Sequence, residues 1–348
     1  MRENLLIICF CSLISLVCCA CNPDLSNKKV SLAAMGATFP QPFYNVVSAN
    51  YIKHTGVEIH YNGTNSGNYL RAFRDRVIDF ASVSAFLPAE RVGEFGSEIV
   101  QIPSTLGAIV LAFNIPNVTE LNLTGAVIAD IYLANIVCWN DSSIAALNPG
   151  VDLPDLLITP VFRSDESDVT ATLSYFLGRT HAAWAAEMGV GKLFVPKRGI
   201  AIKGNPAIAS VIGEVAGSIG YTGLEHASLL DLPVAAIQNR SGGFIKPNRY
   251  SIRQAAKIEL PDDMLVSLVD SEQKGAYPIC SFSWLVVYKN QAYNGRSLQR
   301  CEEIKLFFNY VLSPEAQGLA SKLSYSPLPP EIVVKARRLI NSIEWNER

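Results

Sequence analysis

The chain has 348 residues, of which 49% are hydrophobic and 17% are charged, so it is long enough and apolar enough for two globular lobes with their own cores. Its formal net charge of −2 gives no reason to expect a nucleic-acid partner or a broad basic face for membranes. Any site for an anion must therefore be a local one.

The N-terminus has the pattern of a targeting segment. Arg2 precedes an apolar run over residues 5–20, which is somewhat short for a membrane span and is typical of a signal peptide. We predict a signal peptide with a lipobox over residues 1–21, followed by a polar tether over residues 22–29.

The end of the apolar run resembles the bacterial lipobox, in which a cysteine after a small residue is lipidated and becomes the first mature residue. Cys21, which follows Ala20, fits best, and Cys19 is the alternative. A plain secretory signal that is cleaved nearby is the other interpretation. Each of these places the mature protein outside the cytoplasm.

Metal-ligating residues are sparse in the rest of the chain. Cys138, Cys280 and Cys301 lie far apart in the sequence, so at most one disulfide can form among them. No cysteine or histidine spacing matches a metal site. We expect neither a metal nor a cofactor.

Strands alternate with amphipathic helices after the tether. The first strands are predicted over residues 30–34, 57–61 and 80–83. Each is followed by a hydroxyl-bearing residue in a loop or at a helix start, namely Thr38, Ser66 and Ser84. Because serine and threonine are also the commonest helix caps, each of them alone is weak evidence for a ligand.

Further elements continue the alternation. A nearly all-apolar run over residues 106–114 predicts a central strand that crosses towards a second lobe, and residues 283–289 predict another strand. Helices are predicted near residues 128–133, 142–147, 206–215, 301–311 and 330–343. The pattern predicts an α/β protein with a largely parallel sheet.

The stretch over residues 156–170 carries the clearest sign of a binding site. An apolar run suited to a buried strand ends at Val161 or Phe162, and a helix is predicted to begin near Ser167 or Asp168.

Arg163 and Asp165 then lie on the turn between that strand and that helix. Such a turn aims backbone N–H groups and the positive end of a helix dipole at one point, where the arginine adds a fork suited to an oxyanion. The alternative is an ordinary capped helix with a surface Arg–Asp pair.

Several short motifs occur together in a specific order and spacing. They are GATFP at 36–40, DIYL at 130–133, WND at 139–141, LNPG at 147–150, KGN at 203–205, GSIGY at 217–221, YPI at 277–279 and LP at 328–329. On these motifs the chain, from about Leu32 to about Ile343, resembles the phosphate-binding proteins of bacterial phosphate ABC transporters.

The resemblance implies an α/β, periplasmic-binding-protein-like fold of class II, with two α/β lobes, hinge strands and a central ligand cleft. Lobe one would comprise residues 30–112 and 280–348, and lobe two residues 113–279. The implied protein is a monomer without catalytic activity that captures inorganic phosphate between its lobes. It would deliver the phosphate to an ABC permease and its ATPase from the extracytoplasmic side of the cell membrane, held there by its lipid anchor.

The resemblance also implies how the anion is bound. Arg163 would contact it while Asp165 orients the guanidinium, and the Phe39 backbone N–H and the hydroxyls would donate hydrogen bonds. The implied phosphate-binding residues are Thr38, Phe39, Ser66, Ser84, Arg163, Asp165 and Ser167.

The chain departs from the family pattern at two places. Ser84 stands where the family has an aspartate that accepts a hydrogen bond from a protonated phosphate oxygen, so weaker discrimination against sulfate is expected. At the helix start, Asp168 and Val169 replace a glycine and a hydroxyl, and Thr170 takes over that hydroxyl if the register shifts by one residue. Asp168 either caps the helix towards solvent or points into the cleft, where it would repel an anion at ~4 Å by about 4 kcal/mol for a dielectric constant near ~20.

Three alternatives stay open at this stage. Ser84 motivates a binder of another oxyanion such as sulfate. Glu166, Asp168 and Val169 motivate a degenerate surface interaction protein without a transport ligand. An enzyme is disfavoured because no histidine lies in or beside the four loop segments and no nucleophile-elbow motif is present.

Overall fold

A central mixed sheet organises the protein, which a computed structural model describes over residues 30–347. The strands are β1 (Leu32–Ala37), β2 (Ile59–Thr64), β3 (Phe80–Val83), β4 (Ile99–Asn114), β5 (Asn122–Leu123), β6 (Thr159–Arg163), β7 (Ile200–Ile202), β8 (Ser218–Gly223), β9 (Ala236–Gln238), β10 (Phe244–Ile245) and β11 (Cys280–Tyr288). Eight of them form a sheet in the order β2-β1-β3-β11-β4-β8-β6-β7, and a smaller sheet has the order β10-β9-β5.

Helices pack around the sheet. They are α1 (Gln41–Thr55), α2 (Ser66–Arg74), α3 (Ala89–Val92), α4 (Gly125–Leu133), α5 (Ser142–Ala145), α6 (Asp168–Thr180), α7 (Trp184–Glu187), α8 (Asn205–Glu214), α9 (Leu224–Leu229), α10 (Arg249–Ala255), α11 (Leu298–Val311), α12 (Pro314–Lys322) and α13 (Pro330–Asn341), with a short 3-10 turn at Gly93–Phe95. None of the helices within residues 30–347 combines the length and the apolar character that a bilayer crossing requires.

Strand β4 joins two halves of the large sheet. Its residues 99–108 pair with β11, and its residues 109–114 pair with β8. We call β2, β1, β3 and β11 with the first part of β4 the β1 half, and β8, β6 and β7 with the rest of β4 the β6 half.

The sequence predicted only the second part of β4, from residue 106 onwards. The first part contains polar residues that are nevertheless buried, such as Ser104. The Ser104 hydroxyl donates to the Ser283 carbonyl at 3.0 Å and lies 2.6 Å from the Tyr44 hydroxyl. These bonds satisfy the polar side chain inside the core. Because such polar residues interrupt the apolar run, the hydropathy pattern does not predict a strand there.

The prediction of a largely parallel sheet holds in the outer parts of both halves. β1 pairs in parallel with β2 and β3, and β6 pairs in parallel with β7 and β8. The central strand β11 is antiparallel to β3 and β4, and β4 is antiparallel to β8, so the sheet as a whole is mixed. The carboxyl ends of the parallel strands in each half lie at one edge, where loops can build a site.

Helix α6 has the predicted start and a later end. Ser167 is its N-cap, and its buried side chains include Val169, Leu173, Phe176 and Leu177. The helix passes through Gly178, the predicted stop, and continues to Thr180. A Cβ atom at Gly178 would lie 2.9 Å from the Val190 side chain, so packing explains this glycine better than termination does.

The structure describes the three cysteines of the main chain body but not those of the predicted signal peptide. Within residues 30–347, Cys138, Cys280 and Cys301 are free thiols. The predicted signal peptide, the lipidation candidates Cys21 and Cys19 and the tether lie outside the described residues. Residues 31–347 belong to one compact unit.

Candidate anion-binding site

A small polar cavity lies where the β1 half and the β6 half meet. The β1 half contributes residues from the turns after β1 and β2, and the β6 half contributes the turn after β6 and the start of α8. The lining residues are Ala37, Thr38, Thr64, Ser66, Tyr69, Arg163, Glu166, Ser167, Asp168, Val169 and Asn205. The predicted residues Thr38, Ser66, Arg163, Ser167, Asp168 and Val169 are thus brought together.

Three helices begin at this cavity. Ser66, Asp168 and Asn205 are the first residues of α2, α6 and α8. The first N–H groups of a helix have no partner inside the helix and carry the positive end of its dipole. A point that three helix starts share is therefore favourable for an anion.

Arg163 is held rigidly at the end of β6. It is only 1% exposed, and its Nε and Nη2 donate to the two Asp165 oxygens at 2.6 Å each. Its Nη1 donates to Ser167 Oγ at 3.0 Å and to Asn205 Oδ1 at 2.9 Å. Since a guanidinium has five N–H groups, one N–H of Nη2 has no partner among the described residues.

Two further donors at the cavity also lack partners. The Ser66 hydroxyl and the Asn205 side-chain nitrogen are buried without a hydrogen bond to any described residue. An unsatisfied buried polar group destabilises a protein by about 1–3 kcal/mol. The cavity therefore offers free donors for an acceptor ligand.

Asp168 lines the cavity and does not face solvent, as its exposure of 2% shows. Its Oδ2 accepts hydrogen bonds from the Tyr69 hydroxyl at 2.5 Å and from the Ser84 backbone N–H at 2.9 Å. Its Oδ1 lies 2.8 Å from the Lys192 ammonium. Because this ion pair offsets the negative charge, the repulsion expected for an isolated Asp168 is reduced.

The ionisation of Asp168 follows from the same contacts. Burial alone would raise the pKa of this carboxyl, but the Lys192 ammonium and the hydrogen bonds from Tyr69 and Ser84 outweigh burial and lower the pKa below its usual value. Burial and the nearby Asp168 carboxylate hold the pKa of Tyr69 well above its ordinary value, so the phenol remains a hydrogen-bond donor.

The other predicted site residues do not line the cavity. The prediction for Phe39 concerns its backbone N–H, and its ring packs edge-on against Tyr325 with centroids 6.0 Å apart. Thr170 Oγ1 lies 2.9 Å from the Tyr221 hydroxyl. Ser84 contributes its backbone N–H to Asp168, and its own buried hydroxyl has no partner among residues 30–347. Asp165 does not line the cavity, and its carboxylate accepts two hydrogen bonds from the Arg163 guanidinium.

Sequence reasoning missed three residues of this site. Asn205 lies in the KGN motif at 203–205, but nothing in that motif by itself marks a ligand. Tyr69 lies one turn inside α2 and Lys192 lies in a glycine-rich segment, so neither had a local signal. Tertiary packing alone brings these two side chains to Asp168.

Hydrogen bonds between the two halves close the site. The Ser66 backbone N–H donates to the Glu166 carbonyl at 3.1 Å, and the Asn205 N–H donates to Thr38 Oγ1 at 3.3 Å. His226 Nε2 lies 2.9 Å from the Thr38 carbonyl. Because burial lowers the pKa of His226 to about 4, the ring is neutral at pH 7 and donates this bond through Nε2.

A mixed sheet whose two halves enclose a polar cavity is the architecture of a periplasmic binding protein, and the domain model of the PBP superfamily matches residues 23–315. A phosphate-binding protein PstS of Pasteurella multocida is 31% identical over 318 residues, which cover 89% of this chain and 90% of the relative. A PstS protein of Methanocaldococcus jannaschii is 31% identical over 344 residues, covering 92% and 88%. The chain belongs to this family of PstS-type phosphate-binding proteins in the PBP superfamily.

Solved structures confirm the fold. A human phosphate binding apolipoprotein superposes with a TM-score of 0.73 at 18% identity, covering 88% of this chain and 93% of that one. A phosphate-binding protein from Stenotrophomonas maltophilia has a TM-score of 0.71 at 18% identity, covering 89% and 94%. The predicted periplasmic-binding-protein-like α/β fold is therefore confirmed.

Proposed function

We propose that this protein captures inorganic phosphate in the cavity and delivers it to an ABC permease and its ATPase. One observation carries the proposal most directly: buried donors that have no partner in the described part of the chain meet at the start of three helices, on Ser66, Asn205 and Arg163. The PstS relatives supply the transport context.

The charges around the cavity suit an oxyanion that is bound without bulk water. Asp165 offsets the charge of Arg163, and Lys192 offsets that of Asp168. The ligand is therefore held mainly by hydrogen bonds and helix dipoles, which are strong in a buried site. The pairing of Asp168 with Lys192 also weakens one of the three grounds for a degenerate surface protein, which Glu166, Asp168 and Val169 together motivated.

The proposed movement is closure of two lobes, comprising residues 30–112 with 280–348 and residues 113–279. The change of partner along β4, between residues 108 and 109, supports a boundary close to the predicted one. The bonds between Ser66 and Glu166 and between Thr38 and Asn205 would form as the lobes close. Bound phosphate would stabilise that closed state.

Calorimetric titration of the purified protein with phosphate tests this function. We expect binding by the wild type and a Kd about 10–100-fold higher for Ser66→Ala, because a hydrogen bond to a charged group contributes about 1.5–3 kcal/mol. Thermal unfolding should show no loss of stability for Ser66→Ala, since the buried hydroxyl has no hydrogen-bond partner among residues 30–347.

The matched control is Ser142→Ala, which removes the hydroxyl of an exposed serine at the start of α5 and should bind like the wild type. No heat with millimolar phosphate would contradict the proposal. An unchanged affinity of Ser66→Ala would remove Ser66 from the site.

For localisation we propose a lipid anchor at Cys21 on the extracytoplasmic face of the cell membrane. In cells that express the full chain, Cys21→Ala is expected to shift the protein from the membrane fraction to the soluble fraction. Cys19→Ala serves as the control and should leave the protein at the membrane. The opposite pattern would assign the anchor to Cys19, and release by neither substitution would contradict a lipid anchor at these positions.

A further inference from the structure

A second charged pocket lies at the edge of the β1 half opposite the ligand cavity. It has a volume of about 350 Å³, and its wall includes residues just before β3 and residues between β11 and α11. The charged residues of the wall are three arginines, Arg76, Arg296 and Arg300, and one carboxylate, Asp79. Asp79 stands at the amino end of β3, whereas the ligand cavity lies beyond the carboxyl ends of the parallel strands. The two sites are therefore separate.

One carboxylate does not neutralise three guanidinium groups. Asp79 accepts hydrogen bonds from Arg296 and from Arg300, whose Nε lies 2.6 Å from Oδ1. Arg76 donates instead to the Ser97 hydroxyl at 2.9 Å, which carries no charge. The wall of the pocket therefore keeps an excess of positive charge.

The pocket also keeps hydrogen-bond donors without partners. The buried Nε of Arg296 and the Nη1 of Arg300 make no hydrogen bond within residues 30–347. Asp75, the acid next to Arg76 in the chain, pairs with Arg74 at 3.3 Å. Because guanidinium groups match the geometry of phosphate oxygens, free N–H groups on a positive wall suit a phosphate group.

Exposed apolar and aromatic side chains surround the arginines. Val77 in the wall of the pocket is 73% exposed, and Leu298 at the start of α11 is 51% exposed. Tyr293 also belongs to the wall, and Trp345 Nε1 donates to the Arg296 carbonyl at 2.9 Å. Basic residues together with exposed apolar and aromatic side chains are the combination by which proteins bind the interface of an anionic membrane.

The pocket lies where the predicted tether joins the compact unit. Arg300 Nη2 donates to the Ser31 carbonyl at 2.8 Å, and the proposed lipid anchor Cys21 precedes Ser31 by ten residues. Ten residues span at most about 35 Å, so an anchored protein keeps this pocket within reach of the lipid headgroups. We propose that the arginine pocket docks the protein on anionic lipid headgroups, through hydrogen bonds from its guanidinium groups to the headgroup phosphates.

This contact goes beyond the proposed capture of phosphate. Because the ligand cavity lies at the opposite edge of the sheet, docking by the arginine pocket turns the cavity away from the membrane and towards the solution. Each basic residue near an anionic surface strengthens binding only about fivefold, so the contact is reversible and leaves the protein able to turn to a permease.

Co-sedimentation with vesicles tests the docking surface in the absence of a lipid anchor. The protein is the chain from Asn22 onwards, which contains the whole compact unit and whose thermal unfolding is measured first. The vesicles are phosphatidylcholine alone, or phosphatidylcholine in which about one lipid in three is phosphatidylglycerol. We expect the wild type to bind the anionic vesicles about tenfold or more tightly than the neutral ones. Added salt should reduce this difference, because it screens exposed charges.

Two variants locate the contact. The double substitution Arg76→Gln and Arg300→Gln should weaken binding to the anionic vesicles about 25-fold, at about fivefold for each charge. Val77→Glu places a negative charge on an exposed side chain of the wall and should weaken binding about fivefold. The control is Arg253→Gln, which removes an exposed arginine of α10 and should bind like the wild type. All variants should keep the phosphate Kd of the wild type.

Equal binding of the wild type to both kinds of vesicle would overturn this inference, and that comparison needs no variant. Wild-type binding by Val77→Glu and by the double variant would also overturn it. So would a loss in Arg253→Gln as large as the loss in the double variant, because it would show attraction by overall charge without a defined surface. Vesicle binding as expected by a protein that fails to bind phosphate would support this inference while contradicting the proposed function.

Discussion

Arg163→Lys is expected to weaken phosphate binding by about 100-fold or more, although it keeps the positive charge. The guanidinium makes four hydrogen bonds from a fixed position, to Asp165, Ser167 and Asn205. A lysine ammonium is a point charge with three donors and cannot reproduce this planar fork. The measurement is the phosphate Kd by calorimetry.

Arg163→Met should also destabilise the fold. Removing one partner of a buried ion pair typically lowers the free energy of unfolding by about 3–5 kcal/mol, because the other charge stays buried, here on Asp165. The matched control is Arg179→Met, since the Arg179–Asp270 pair has an arginine that is 40% exposed. That change should alter stability by less than about 1 kcal/mol.

Wild-type affinity in Arg163→Lys would show that charge alone is sufficient at this position.

Asp79→Asn is expected to produce the largest loss of stability that leaves the site intact. The Asp79 side chain is 5% exposed, contacts the guanidinium groups of Arg296 and Arg300, and accepts from the Ala33 N–H at 2.7 Å. Replacing it leaves the two arginines without their shared carboxylate. We expect the free energy of unfolding to fall by about 3–5 kcal/mol, as measured by urea denaturation.

The phosphate affinity of folded Asp79→Asn should stay at the wild-type value. Asp79 immediately precedes β3, at the amino end of that strand, whereas the cavity lies beyond the carboxyl ends. Asp75→Asn is the control, since the Asp75–Arg74 pair is half exposed on both sides and should contribute little. A loss below about 1 kcal/mol in Asp79→Asn would show that the cluster is not a stabilising element.

Local sequence signals were enough to predict that Thr38, Ser66 and Arg163 lie together. Thr38, Ser66 and Arg163 each follow a strand whose apolar pattern is visible in the sequence, so the topology of parallel strands was enough to predict that they meet. The helix start at Ser167 was likewise visible, because its cap and the apolar face of α6 are local features.

Thr170 shows the limit of such reasoning. It lies three residues after the N-cap Ser167, but its hydroxyl pairs with the Tyr221 hydroxyl and does not line the cavity. Side-chain direction within a turn depends on what packs behind it, and the sequence of the turn does not contain that information.

The sequence by itself determined the family, the order of strands and helices and the loops that carry Thr38, Ser66 and Arg163, because periodicity, caps and turns are local properties of the chain. Only the tertiary structure decided the surroundings and the charge compensation of Asp168. Its partners Tyr69, Ser84 and Lys192 come from distant segments, and the ionisation of a buried carboxylate depends on the charges and donors around it. A carboxylate that the sequence presented as a source of repulsion is paired with the Lys192 ammonium in the folded protein.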